Sequence, residues 1–165
     1  MSTNLQAWYN FVLQQMAAES YLDQSQALGS SIQTDQVLMY GSNNPLFQAG
    51  KPASTDLLNG ATRMTASQAA DFTSRYEIVS HLPNTASGFS ATLIRDVTTG
   101  AYTFSIRSTE YFDSSQGGDW ARDGLPGADG EIGSTGFAFG QIASMESYYE
   151  HLKNKWGQRQ FSKNF

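Results

Sequence analysis

The chain has 165 residues, with 10 Lys plus Arg against 15 Asp plus Glu and a formal charge of −5. That length is one domain's worth and can bury roughly 70% of its unfolded surface, while 10 Phe, 8 Tyr and 3 Trp argue against wholesale disorder. A phosphate backbone requires clustered Lys and Arg, and the one basic cluster, Lys153, Lys155, Arg159 and Lys163, reads as a dipole-complementing helix end and polar tail, so no nucleic-acid partner is expected. The absence of cysteine excludes disulfides and thiolate metal sites, and no apolar run reaches the ~18 residues of a transmembrane helix. The N-terminus lacks the basic and apolar blocks of a Sec signal peptide, which leaves the compartment open between the cytoplasm and export by another route.

Residues 3 to about 20 carry a helical pattern. Thr3 and Gln6 have capping-box spacing. Leu5, Trp8, Tyr9, Val12 and Met16 recur as one apolar face. No Lys or Arg lines the polar face, so the stripe is expected to dock on the protein's own core rather than on a membrane surface. Residues 23 to 63 mix turn signals, such as Gly41-Ser42-Asn43-Asn44-Pro45, with isolated apolar residues. That predicts an irregular excursion with at most one short helix.

Thr65-Ala66-Ser67-Gln68 is a second capping-box pattern. Ala69, Phe72 and Tyr76 then share a face, so this helix should end near Arg75 or Tyr76. Glu77 to Leu82 alternates as a strand, Ile78 and Leu82 on one face, Val79 and His81 on the other, closed by Pro83-Asn84. A hairpin follows. Phe89, Ala91 and Leu93 occupy one face of its first strand. Tyr102, Phe104 and Ile106 occupy one face of its second, with Thr103, Ser105 and Arg107 opposite. This is the alternation of an antiparallel pair with one buried side, joined through Asp96 to Gly100.

Residues 111 to 136 read as an acidic, glycine-rich loop, with Asp113, Asp119, Asp123, Asp129 and Glu131 against Arg122. From Gly136 onward Ala138, Ile142, Met145, Tyr149 and Leu152 step as a helical face. His151, Lys153 and Lys155 lie at its C-terminal end, where cations suit the helix dipole, and Gly157 is the expected stop. The polar, basic residues 154–165 form a tail to a domain of residues 1–153.

No Gly-x-Ser-x-Gly nucleophile elbow occurs; Gly133-Ser134-Thr135-Gly136 is one residue short of it. The two histidines, His81 in a strand and His151 on a helix, both read as structural. Asp119, Asp123 and Asp129 lack the alternate-residue spacing of a calcium loop. The loop therefore reads as a solvated segment or a substrate-access lid, and no metal or other cofactor is expected.

The run from Arg75-Tyr76 through Leu82-Pro83-Asn84-Thr85-Ala86-Ser87-Gly88-Phe89-Ser90-Ala91-Thr92 to Arg107-Ser108-Thr109-Glu110, then Asp119-Trp120 and the helix after Gly136-Phe137, resembles the front half of bacterial lipase-like α/β-hydrolases, which are related to the class 3, fungal-type lipases. The motifs cover residues 65 to 152, the general layout residues 1 to 152. The resemblance implies an α+β chain that is the N-terminal half of an α/β-hydrolase-like fold. It places an oxyanion-hole role on Thr109 and loop or lid roles on Asp119, Trp120 and Asp123. Ser108 departs from the family's Gly in the Arg-Gly-Thr-Glu corner. The implied reaction is hydrolysis of a lipid-like carboxylic ester, with the triad outside this chain and a complementing C-terminal hydrolase segment as partner. The alternative is a non-catalytic remnant or a protein-interaction module of small α+β type. Either way a half sheet exposes a strand edge and an apolar face, which predicts self-association or a covering partner.

Overall fold

The computed structural model describes residues 3–20, 35, 38–39, 64–107, 125 and 127–157. In chain order the elements are α1 (Thr3–Ser20), α2 (Ala66–Arg75), β1 (Tyr76–Leu82), β2 (Ala91–Asp96), β3 (Tyr102–Ile106), α3 (Ala128–Thr135) and α4 (Phe139–Leu152), continued by a π-helical turn, Lys153–Gly157. The three strands form an antiparallel sheet in the order β1-β2-β3. The architecture is α+β, and no described helix is long and apolar enough to cross a membrane.

Local chemistry explains the best-defined ends. Thr65 caps α2: its side chain accepts from the Gln68 amide while the Gln68 side chain accepts from the Thr65 amide at 2.9 Å. The capping box expected from the sequence is therefore present. The hairpin forms, and Gly100 takes the positive φ, 74°, that its turn requires. The expected burial of its second strand is corrected: Tyr102 and Ile106 are exposed, while Ser105 and Arg107 on the opposite face are buried against α1. Asp96 anchors that turn by accepting from the Thr98 and Thr99 amides at 2.9 and 2.8 Å.

The sheet is covered on both faces, contrary to the one buried side expected. On one face Leu13 and Ala17 of α1 and Ala69 and Phe72 of α2 close over Tyr76, Ile78 and Ile94, joined by Leu38 and Met64. On the other, Met145, Tyr148 and Leu152 of α4 pack over Val79, Leu82, Phe89, Ala91, Leu93 and Phe104. Strand β2 is central and receives both layers, so four successive residues, Ala91 to Ile94, are buried. Each large apolar side chain fully buried in this way contributes roughly 1.5–3 kcal/mol.

A β-bulge explains one error of phase. The register between β1 and β2 shifts between Ile78 and Ser80. Val79 is the extra residue, so Val79 and Leu82 both reach the α4 side while Ile78 reaches the α1 side. Ile78 and Leu82, expected on one face, therefore lie on opposite faces, as do Val79 and His81. His81 is swung to the α1 face, where its Nδ1 is 2.8 Å from Thr92 Oγ1.

Two helical faces are also rotated from expectation. In α1 Tyr9 and Met16 of the expected face pack against the core beside the buried Leu13, Ala17 and Ala18, while Leu5 and Trp8 of that face, with Phe11, are exposed, Trp8 by 63% and Phe11 by 56%. Small Ala17 and Ala18 let the helix approach the sheet closely; Trp8 and Phe11 instead stack on each other, 5.7 Å between centroids. In α4 it is Tyr148 rather than Tyr149 that is buried, and its hydroxyl is satisfied by Ser80 Oγ at 2.8 Å. Residues 128–135, read as loop, are helical: Asp129 and Glu131 occupy the first turn, where acids suit the dipole. Gly136, at φ 87°, ends that helix, and α4 starts at Phe139 rather than at Gly136. Within the 23–63 excursion, Asp35, Leu38 and Met39 are helical and Leu38 is fully buried; its carbonyl accepts from Met64 N at 3.2 Å.

Candidate functional site

Two places concentrate polar groups: the exit of β3 and a cleft between β1 and α4. The β3 exit leads to the Arg107-Ser108-Thr109-Glu110 corner. Thr109, Ser108, Asp119, Trp120 and Asp123 lie outside the described residues. What is described is how the approach is held. Arg107 is buried, and its amide donates to Ser90 O at 3.0 Å. Residues of α1 grip three consecutive positions. Ser105 Oγ donates to Gln15 Oε1 at 3.2 Å, Ile106 O accepts from Gln15 Nε2 at 2.9 Å, and Arg107 Nε lies 3.8 Å from Glu19 Oε2. Gln15 Nε2 also donates to Glu19 Oε1 at 2.9 Å. This clamp was missed in the sequence, although Gln15 and Glu19 are an i, i+4 polar pair on an otherwise apolar turn.

Beside the clamp, the outer edge of β3 has no strand neighbour among the described residues. Residues 101 and 107 bond toward β2, so by alternation Tyr102, Phe104 and Ile106 aim their backbone N–H and C=O groups outward.

The second place, on the opposite edge of the sheet, is an open cleft of about 660 Å³. Ser80, Leu82 and Thr85 form one wall; Ser144, Ser147, Tyr148, His151 and Lys155 form the other. The α4 residues recur at intervals of 3, 1 and 3, a spacing that keeps them on one helical stripe, and Lys155 follows in the π-helical turn.

Hydrogen bonding fixes the polarity of these hydroxyls. Tyr148 donates to the buried Ser80 Oγ at 2.8 Å. Burial raises the Tyr148 pKa and the Ser80 hydroxyl partly opposes that, so the phenol stays protonated. Ser80 accepts there, which leaves its own proton directed elsewhere. On the other wall Ser144 donates to Gly140 O at 3.0 Å. Having one proton, it must accept from Ser87 at 2.8 Å, and Ser87 in turn accepts from Thr85 at 3.0 Å. The chain therefore runs Thr85 to Ser87 to Ser144 to the Gly140 carbonyl, and Thr85 offers the cleft only lone pairs.

The remaining sequence candidates fall elsewhere. His81 is buried on the α1 face, away from the cleft that His151 lines. Ser134 sits inside α3 and donates to Gly130 O at 2.8 Å, so it forms no strand-to-helix elbow. Among the described residues no group of three or more His, Cys, Asp or Glu is placed to hold a metal. Compared with known proteins, the chain matches no family model, no curated protein and no solved structure.

Proposed function

We propose that this chain is the N-terminal segment of a lipase-type carboxylic ester hydrolase, contributing the oxyanion corner and part of the sheet, and inactive by itself. The observation that carries the reading is the conjunction at β3: an outer edge without a strand neighbour among the described residues, immediately before the corner, with the corner's approach clamped by Gln15 and Glu19. A further parallel strand laid on that edge would bring its C-terminal end beside Arg107, the last described residue before the corner. In this mechanism a serine from outside the chain attacks the ester carbonyl. The Thr109 hydroxyl and a neighbouring backbone N–H then stabilise the negative charge on the former carbonyl oxygen, and a histidine moves the proton. A clamp on the approach suits that task, since oxyanion donors act by being aimed before the charge develops.

The exposed Trp8–Phe11 stack lies on the helix that packs against β3, and favours a covering partner whether or not that partner is catalytic. p-Nitrophenyl butyrate separates the readings. The 165-residue chain is expected to give no turnover. The product of any longer reading frame carrying a Gly-x-Ser-x-Gly segment is expected to give it, and Thr109→Ala is expected to lower kcat/KM by about 10²–10³. Ser108→Gly, which restores the family's corner, should raise it. Activity indifferent to Thr109→Ala would sink the hydrolase reading and leave the interaction module.

A further inference from the structure

Among the described residues the sheet has two outer edges, and they are built differently. β1 carries the bulge at Val79 and a charge, Glu77, paired with Arg95 at 2.8 Å; both features discourage a further strand. β3 carries neither. Its register with β2 is unbroken, and its five residues, Tyr102 to Ile106, hold no charge and no proline. Tyr102, Phe104 and Ile106 aim their backbone groups outward, and Tyr102 and Ile106 are 39% and 44% exposed. An apolar stripe continues from this edge onto α1. Gln15 reaches the edge itself, donating to Ile106 O at 2.9 Å. Phe11 and Trp8 lie one and two turns before Gln15 on the same stripe. Phe11 lines a groove of about 210 Å³ along residues 103–106 and stacks on the exposed Trp8.

We propose that this edge, in the chain by itself, takes a second copy of the chain, β3 against β3, antiparallel across a two-fold axis at Phe104. That register is self-complementary. It sets Phe104 opposite Phe104 of the second copy, and Tyr102 opposite Ile106 of the second copy. All three outward-aimed residues then exchange N–H···O=C bonds. Each exposed aromatic meets an exposed β-branched side chain, a favoured cross-strand pair. Ile106 O already accepts from Gln15 and has a second lone pair for the new donor. Two five-residue strands overlap along only about 17 Å, too little for the roughly 800 Å² per partner that a stable dimer buries. The two-fold supplies the remainder. It keeps both copies of α1 on one face of the joined sheet and turns their Trp8–Phe11 stripes toward each other. The second copy takes the edge that the hydrolase reading gives to a complementing strand, so the two occupants exclude each other, and the dimer does not rest on that reading.

The chain has no cysteine, so single cysteines at the two exposed positions report the register. Tyr102→Cys and Ile106→Cys chains are mixed, oxidised and run without reductant. Cross-linking between the two variants is expected, since directly opposed Cα atoms lie about 5.5 Å apart, within disulfide reach. Either variant alone should cross-link little, because its two cysteines are offset by four residues, about 14 Å along the strands. Sedimentation velocity of the wild-type chain should show a dimer. Trp8→Glu, at an exposed position, should raise its Kd by about tenfold or more, and Glu77→Gln, on the other edge, should leave it unchanged. A monomeric wild type, cross-linking of either variant alone as readily as the mixture, or a Kd indifferent to Trp8→Glu would each overturn the assignment. None of these readouts depends on ester turnover by a longer product, so the dimer and the hydrolase reading can fail separately.

Discussion

Deleting one oxygen from Tyr148 tests whether α4 sits where the structure puts it. The ring is buried against Phe104, 5.8 Å between centroids, and the hydroxyl donates to Ser80 Oγ at 2.8 Å. Tyr148→Phe keeps the ring and removes only that bond, leaving the buried Ser80 oxygen without its donor. A typical hydrogen bond contributes about 0.5–1.5 kcal/mol net and an unsatisfied buried partner costs about 1–3, so the loss should be about 1–2 kcal/mol. In a domain of this size that lowers Tm by about 3–6 °C. Urea unfolding of wild type, Tyr148→Phe, Ser80→Ala and the double variant gives the pairwise coupling, expected near 1 kcal/mol, against a scatter of about 0.3–0.5 for independent sites. Tyr149→Phe, at an exposed position, should change stability by less than about 0.5 kcal/mol. The structure also fixes the pH sign. The Tyr148 pKa is raised above 10.0 by burial, so its contribution is complete below about pH 10 and is lost as pH rises through the folded value. Tyr148→Phe should flatten that alkaline limb. A neutral Tyr148→Phe beside a costly Tyr149→Phe would refute the placement and restore the face read from the sequence.

Thr65→Ala removes one half of a reciprocal cap and should cost about 1 kcal/mol in urea unfolding, with Thr65→Ser recovering most of it. Amides of Thr99 and Thr98 hold the Asp96 pKa below the ordinary 3.8. A depressed carboxylate stabilises above its unfolded value and loses that contribution as pH falls through the folded one. Wild type should therefore lose more stability than Asp96→Asn as pH drops below about 4. Placing a charge on the β3 edge with Ile106→Lys is expected to abolish concentration-dependent sedimentation of the chain. A wild type that stays monomeric on concentration would instead remove the case for edge pairing.

Elements were legible in the sequence where local chemistry decides them. The Thr65–Gln68 reciprocity and the Asp96–Gly100 turn are each set within a few residues, and both are present. Faces were less legible, because neighbours distant in sequence choose them. Leu13 outcompetes Trp8 for the core since two alanines behind it allow close approach. Tyr148 is buried in place of Tyr149, with its acceptor supplied by Ser80, 68 residues away. The α3 helix was hidden by its glycines, which lower intrinsic propensity. Its ends carry the signals instead: Asp129 and Glu131 lie in the first turn, and Gly136 closes the last one by donating its amide to Ile132 O at 2.8 Å. Of the candidate site, the hairpin and the approach to the corner were readable, while Thr109, Asp119, Trp120 and Asp123 lie outside the described residues. The α1 clamp required knowing which face of α1 meets β3.

The bulge at Val79 makes β1 a six-residue strand spelled with seven letters. Striking out Val79 would leave Ile78 facing α1, Ser80 and Leu82 facing α4, and His81 facing Thr92, so only Val79's own contact with the α4 layer would be lost. Striking out either neighbour would not be so forgiving: loss of Ser80 removes the acceptor that seats Tyr148, and loss of Ile78 removes an apolar contact with the α1 layer. Position 79 is thus the point along β1 where the gene can gain or lose a codon without rewriting the layers around it, and related chains should place their length differences there.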